Sequence, residues 1–467
     1  MKPASWPKLS YTCAREPMNF LFTDTASDSC AWPKLKYVAR IKGGAGFPPE
    51  EQGQVGNELP FYKVNALEFC TSDGVLSAPG DTVSGITAGK LGAHIFQPGT
   101  TVFAKVGAAL LLNRFRQLNR LACLDNNMMG LEPDESRVLP RYLMYAMATK
   151  DLSIIANPGA VPSVSASQIA DERIPCPSVA QQTRIANFLD EQTARIDALI
   201  AEKERLDGLL GEYRASLISA AVTGQLDMGT GGALPRAHGG GGGVNLNCIS
   251  VVDALRQAWF ENLPRDWNIK PVRIALQERY TKNDLGVRDN YLSLISGVGI
   301  VPYAEKGDLG NKKPEDLSKC KCVEKGDFVI NSMNFVIGGF GRSGFTGICS
   351  AVYIVAKPNE QQFDPRFLMR VFQVSEFQRY VGRLGKGILE LRMAIGWDEL
   401  KNQAIPAPPL SEQTRIANFL DEQTARIDDL REHCKEHITL LREYRSSLIS
   451  AAVTGQLNID KFGREVA

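Results

Sequence analysis

A 45-residue segment occurs twice in this chain, and that constrains the architecture more than any other feature. Residues 182–226 read QTRIANFLDEQTARIDALIAEKERLDGLLGEYRASLISAAVTGQL, and residues 413–457 align with them without a gap, identical at 33 of 45 positions. The repeat distance of 231 residues is far longer than any solenoid unit, so the sequence is a duplication of two large halves. The remainder of each half matches only loosely. Trp32-Pro33-Lys34-Leu35 opens one, and Leu263-Pro264-Arg265-Asp266-Trp267 opens the other. Between them DMGTGGALPRAHGGGGG, at 227–243, contains too little apolar surface to offset the entropy of ordering, which predicts a flexible connection.

Each repeat reads as one long helix. Ser178 and Gln181 form an S-x-x-Q capping box after Pro175 and Pro177. Ser411 follows Pro408-Pro409, with Glu412 in the first turn. Gly224 and Gly455 stand where a helix C-terminus favours glycine. About 40 helical residues make a rod of roughly 60 Å. Ile185, Leu189, Gln192, Ile196, Leu199, Lys203, Leu206, Leu210, Tyr213, Leu217 and Ala220 step alternately by four and three. The second copy supplies Ile416, Leu420, Gln423, Ile427, Leu430, Cys434, His437, Leu441, Tyr444, Leu448 and Ala451. This spacing predicts a coiled-coil seam. Because both rods lie in one chain, the economical pairing is intramolecular and antiparallel, with pseudo-twofold symmetry. Gly208 and Gly211 mark either a weak point or a close helix crossing.

The expected fold class is therefore α+β: two globular domains, each followed by a long helix. The predicted boundaries are an N-terminal extension 1–30, a first domain 31–177, a central helix 178–226, a Gly-rich linker 227–248, a second domain 249–408, a C-terminal helix 409–458 and a tail 459–467. Ten scattered cysteines without a CxxC pair read as reduced thiols in a cytoplasmic protein. The N-terminus lacks the apolar run of a signal peptide, and no stretch is apolar enough to span a membrane. Gly339-Phe340-Gly341-Arg342-Ser343-Gly344 fits a dinucleotide fingerprint, but a strand follows where a helix is required, so it reads as a β-hairpin loop. His433-Cys434-Lys435-Glu436-His437 fits a zinc pattern, yet it lies in the rod with His437 on the predicted seam, which favours a polar layer of the coil over a metal site. No Asn/Asp-Pro-Pro-Tyr tetrad, Walker A motif or paired base and nucleophile occurs, so no intrinsic catalysis, cofactor or metal is expected.

A Pro-rich lead-in, then EQ or QQ, then R-I-A-x-F-L-D and a long helix ending L-I-S-A-A-V-T-G-Q-L stands at 405–457, and again at 174–226. In this arrangement the chain resembles the specificity subunits of type I restriction–modification enzymes, from about residue 30 to 458. The first copy departs by replacing Pro-Pro-Leu-Ser-Glu with Pro-Ser-Val-Ala-Gln. The resemblance implies two target-recognition domains, each reading one half of a bipartite, asymmetric site in double-stranded DNA. It further implies helices that set the gap and dock two modification (methyltransferase) subunits, with restriction (motor-nuclease) subunits joining for cleavage. An alternative function is a coiled-coil adaptor, an orphan subunit with protein-binding domains and no DNA recognition. A self-contained restriction–methylation enzyme is opposed by the missing catalytic motifs.

Net charge is +1, so any DNA-binding surface must be local. Residues 261–410 carry 21 basic against 17 acidic side chains, whereas residues 30–180 carry 14 against 13 and each rod is negative. The expected contacts in the second domain are Lys312 and Lys313 in a lysine-rich loop, Arg342, Arg392, and Arg383 with Lys386 in a Gly-Arg-Leu-Gly-Lys-Gly run. There glycine would let the backbone approach phosphate or guanine. In the first domain they are Arg114, Arg116 and Asn157, the arginines reading equally well as flanking the core.

Overall fold

The computed structural model describes residues 31–227 apart from 72 and 77–79, residues 234–235, and residues 263–462 apart from 265, 285, 309–311 and 386–393. The expected N-terminal extension 1–30 and most of the Gly-rich connection lie outside the described residues. Two compact units make up the chain: residues up to Glu204 together with Lys435–Ala467, and Arg205–Cys434. The division falls inside both long helices, Val179–Val222 and Leu410–Val453, each of 44 residues. Each unit thus holds one globular domain and a part of both helices.

In the first unit the main sheet has the spatial order Ala39–Gly43, Met128–Pro133, Thr101–Ala104, Arg116–Gln117, all antiparallel. In the second the order is Leu276–Glu278, Tyr353–Pro358, Phe328–Asn331, Phe340–Arg342, again antiparallel. The two domains share this topology strand for strand. Each sheet is followed by a short helix that begins at a proline, Pro140–Ala148 in one and Pro365–Phe372 in the other; we call these the anchor helices. Proline suits the first helical turn, where its absent N–H leaves nothing unpaired. Their sequences open alike, Pro-Arg-Tyr-Leu-Met and Pro-Arg-Phe-Leu-Met. Tyr142, Leu143, Phe367 and Leu368 are fully buried.

The tryptophans that open the two halves are not equivalent. Ala31 bridges Cys176, and Asn268 pairs with Ala407, one repeat length further on. Trp267 therefore precedes its strand and is buried, its Nε1 donating to Glu412 at 3.1 Å, whereas Trp32 lies within the edge and is 45% exposed. The Gly-Phe-Gly run also differs from expectation. Phe340–Arg342 pairs with Phe328–Asn331, while the following strand Gly347–Cys349 pairs with Lys321–Val323 in another sheet, so the loop joins two sheets and closes no hairpin.

Both long helices stop at glycine in the left-handed region, Gly224 at φ 72° and Gly455 at φ 76°. At Gly224 a Cβ would also fall 2.3 Å from Pro264, so the residue is required twice over. The capping box forms as well: Gln181 N–H donates to Ser178 Oγ, and both Ser178 groups donate to Gln181 Oε1.

Candidate helical anchor and nucleic-acid interface

The residues shared by the two repeats first explain how a domain is held to its helix. Gln182, fully buried, accepts from the Leu139 N–H at 2.8 Å and donates to the Arg137 and Pro177 carbonyls. Gln413, one repeat later, accepts from the Asp364 N–H at 2.9 Å and donates to the Gln362 and Pro408 carbonyls. In both units a glutamine amide caps the N-terminus of the anchor helix, satisfying a donor that the helix itself leaves open.

Two turns on, Asp190 accepts from Arg141 Nε at 2.5 Å and from the Tyr145 hydroxyl at 2.7 Å. Asp421 receives Arg370 at 2.8 Å and Arg366 at 3.2 Å, and Arg370 also reaches Thr424. Thr193 is the counterpart of Thr424 and lies 3.2 Å from Tyr145. Burial, reinforced by the hydrogen bond to Asp190, pushes the Tyr145 hydroxyl up to about 12. Burial opposes the charge on Arg141, but Asp190 and its neighbours outweigh this and hold its pKa above the ordinary value.

The two helices run antiparallel within each unit. In the first, Arg445 pairs with Asp197 at 2.9 Å and Arg442 with Glu204 at 2.8 Å. In the second, Arg214 pairs with Asp428 at 2.9 Å and Arg431 with Asp207 at 2.8 Å. The pairs Asp197–Arg445 and Asp428–Arg214 exchange under the 231-residue shift, so the same aspartate–arginine pair is built once in each unit.

The seam differs from the expected one on one of its two edges. Of the expected positions, Leu189, Ile196, Leu217, Ile416, Leu420, Ile427 and Leu448 are buried, and Ile185, Leu210, Leu441 and Tyr444 are half-buried. Leu199, Leu206, Tyr213 and Leu430 are 40–57% exposed. Their places are taken by the following residues, Ile200, Asp207, Arg214 and Arg431, all half-buried or ion-paired across the helices. His437 is likewise exposed, and Ile438 is buried instead. Polar side chains can occupy the seam because each charge meets an opposite one. Of the two mid-helix glycines, Gly211 faces the Arg431 guanidinium, and nothing lies within 4 Å of a Cβ at Gly208.

The expected DNA contacts fall in varied settings. Arg383 is exposed at the C-terminal end of the helix Ser375–Gly382, and Lys312 and Lys313 are exposed, Lys313 donating to the Asp289 carbonyl. Arg342 ends a sheet strand and meets Glu360 and the Gly326 carbonyl. Lys386 and Arg392 lie outside the described residues. In the first domain Arg114 pairs with Glu68, and Arg116 is half-buried, donating to the Leu67 and Phe115 carbonyls. Asn157 is exposed and accepts from Gln168. A cavity of about 750 Å³ in the second unit, lined by Arg273, Arg279, Lys325, Lys357, Asp327 and Glu360, was not foreseeable. Its cations come from three separate stretches of sequence, and Arg279 is neutralised by the buried Asp327 at 2.7 Å.

Among the described residues no group of His, Cys, Asp and Glu is placed to hold a metal, and no helix is long and apolar enough to cross a membrane. The family model for the type I restriction modification DNA specificity domain matches residues 34–206 and 288–440, together well over half of the chain. The specificity subunit of the type I restriction enzyme EcoBI of Escherichia coli is 22% identical over 355 residues, covering 72% of this chain and 69% of its own length. The corresponding StySPI subunit of Salmonella potsdam is 25% identical over 295 residues, covering 61% and 57%. A solved structure described as "Structural basis underlying complex assembly and conformational transition of the type I R-M system" superposes with a TM-score of 0.60 at 15% identity, covering 92% of this chain and 99% of its own.

Proposed function

From the premise that the chain belongs to the type I restriction–modification DNA specificity family, we propose that it is a non-catalytic cytoplasmic subunit that reads a bipartite, asymmetric site in duplex DNA. Each domain reads one half-site, and the paired helices hold the readers at a fixed separation. The observation that carries this is one sheet order and one glutamine–aspartate anchor in both units, with different loops projecting from them. Such a design presents two dissimilar readers on one frame. Arg383, Lys312, Lys313 and Arg342 are proposed to contact the half-site of the second domain, as are Lys386 and Arg392, which lie outside the described residues. Asn157 and Arg114 serve the first domain. Arg116, with its guanidinium committed to two carbonyls, is proposed to hold the loop that carries Arg114.

The same repeats are proposed to dock two modification subunits, with restriction subunits joining that assembly. Glu191–Arg195 and Glu422–Arg426 are the same exposed ion pair in both copies, and neither contributes to the anchors described above. An exposed pair of this kind adds little stability, typically under 1 kcal/mol, so its identity in both repeats fits a surface that meets the same partner twice. The test is a genome-wide map of methylated adenines in the host with and without the chain. Loss of methylation at one bipartite motif is expected, and an unchanged map refutes the proposal.

A further inference from the structure

In both main sheets the connection between the third and fourth strands in spatial order is built alike. In the first domain, residues 105–115 contain a helical turn, Ala108–Leu111, whose Leu110 is buried while Leu111 and Leu112 are 47% and 55% exposed. In the second domain, residues 332–339 contain the turn Phe335–Ile337, whose Phe335 is buried while Met333, Val336 and Ile337 are 39–62% exposed. Each connection is tied at its base to the stretch that precedes the repeat. Val164 N–H donates to the Lys105 carbonyl at 2.9 Å, and Ile395 N–H to the Ser332 carbonyl at 3.1 Å. The second tip also lies against Gly382, where a Cβ would fall 2.4 Å from Val336, and this places the exposed Arg383 next to it.

A tip held by a buried residue and a backbone hydrogen bond at its base is well placed, and exposed apolar side chains on it are costly unless something covers them. What covers them follows from a contrast within the chain. The repeats present the same exposed residues twice, as one partner bound twice requires. The tips occupy the same topological position but carry different side chains, Leu-Leu against Met, Val and Ile. A position that is constant in place and different in chemistry suits two unlike half-sites, with Arg383 supplying attraction to phosphate.

We infer that these two connections are base-reading tips, whose apolar side chains rest on thymine 5-methyl groups in the major groove. Alanine, threonine methyl and other apolar groups make this contact in general, and it distinguishes a T·A pair from the rest. The inference rests on the DNA-reading function proposed above and names the side chains that perform it. The tips then discriminate bases by burying methyl groups, and the surrounding cations position the duplex without reading it.

The experiment uses the full chain assembled with its modification subunit. Met333→Ala with Ile337→Ala is compared with Leu111→Ala with Leu112→Ala, by mapping methylated adenines and by duplex binding. Each double variant is expected to relax or change only its own half-site, with unaltered thermal melting because the side chains are exposed. Replacing thymine by uracil within the half-site read by the second domain is expected to weaken wild-type binding about four-fold per contacted methyl, and to leave the Met333/Ile337 variant indifferent. Unchanged half-sites with unchanged binding would overturn the inference, as would loss of the modification subunit with both half-sites intact, which would make the tips a protein-docking surface. If the wild-type complex shows no preference for any duplex, the DNA-reading function itself fails, and the tips fail with it.

Discussion

The two junctions between domain and helix are built from the same parts with two exchanges. Gln182 and Gln413 cap the anchor helices in the same way, but the capped N–H belongs to Leu139 in one and to Asp364 in the other. Asp190 meets Arg141 and Tyr145, whereas Asp421 meets Arg366 and Arg370. The second junction is the more charged. The difference separates what an anchor needs from what it tolerates: a glutamine amide and a carboxylate are present in both, and their partners vary.

Removing the shared part should have the largest effect. Gln182→Ala and Gln413→Ala each leave buried N–H and C=O groups unpaired and open a cavity, and each is expected to cost about 3 kcal/mol in denaturant unfolding. Equal losses would establish the anchors as equivalent; a loss in one unit alone would break the comparison. Next come the exchanged parts. Arg370→Ala leaves Asp421 with a single, half-exposed partner and should cost about 2 kcal/mol, against about 1 kcal/mol for Tyr145→Phe, by the same measurement.

Acid should separate the units further. Burial opposes ionisation of Asp364, but Arg366, the Arg366 backbone N–H and Thr414 outweigh it and hold the carboxyl below its usual range. Its folded pKa is therefore below the unfolded one. The stabilisation is present in full above the unfolded value, about pH 4, and disappears as pH falls through the depressed one. Because Arg366 is partly in water, the contribution is about 1 kcal/mol. Leu139 gives the first junction no such dependence at that position. Asp364→Asn should lower melting at neutral pH and flatten its fall below about pH 4, whereas the Leu139 junction should contribute no matching change.

The smallest stability effect concerns the seam. Asp207–Arg431 in the second unit corresponds by the repeat to Ile438 and Ile200 in the first. Replacing both charged residues by isoleucine should leave unfolding within about 1 kcal/mol of wild type. It should also remove the mismatch that opposes pairing of one helix with its own copy in another chain. Sedimentation would then show more self-association, and an unchanged monomer fraction would show that this layer confers no selectivity.

Much of this architecture is legible in the sequence because a gapless duplication fixes helix length, capping and the existence of a seam. The misplaced edge of the seam has a clear cause. Pattern reading assigns the interior to leucine and tyrosine, so it selects Leu199, Leu206, Tyr213 and Leu430, whereas Asp207, Arg214 and Arg431 enter because their charges are matched across the pair. That matching depends on the other helix and is invisible in either alone. The anchors were hidden for a related reason: Gln182 and Asp190 stand among identical residues, yet their partners at 137–145 lie outside the gapless repeat, where the two anchor helices are out of step with its 231-residue period. The candidate interface was the least legible, since neither the Arg114–Glu68 pair nor the two carbonyls that hold the Arg116 guanidinium can be read from the sequence, and these contacts give the two neighbouring arginines different settings.

The central claim, that the paired helices set the distance between two readers, is tested most directly by lengthening both at one level. Seven residues inserted after Glu204 and seven after Cys434 add one heptad to each helix at the division between the units while keeping the four–three spacing. The added rise is about 10 Å, or roughly three base pairs of B-DNA. Mapping of methylated adenines should then return both half-sites unchanged with about three more base pairs between them. An unchanged gap, or altered half-sites, would contradict the account.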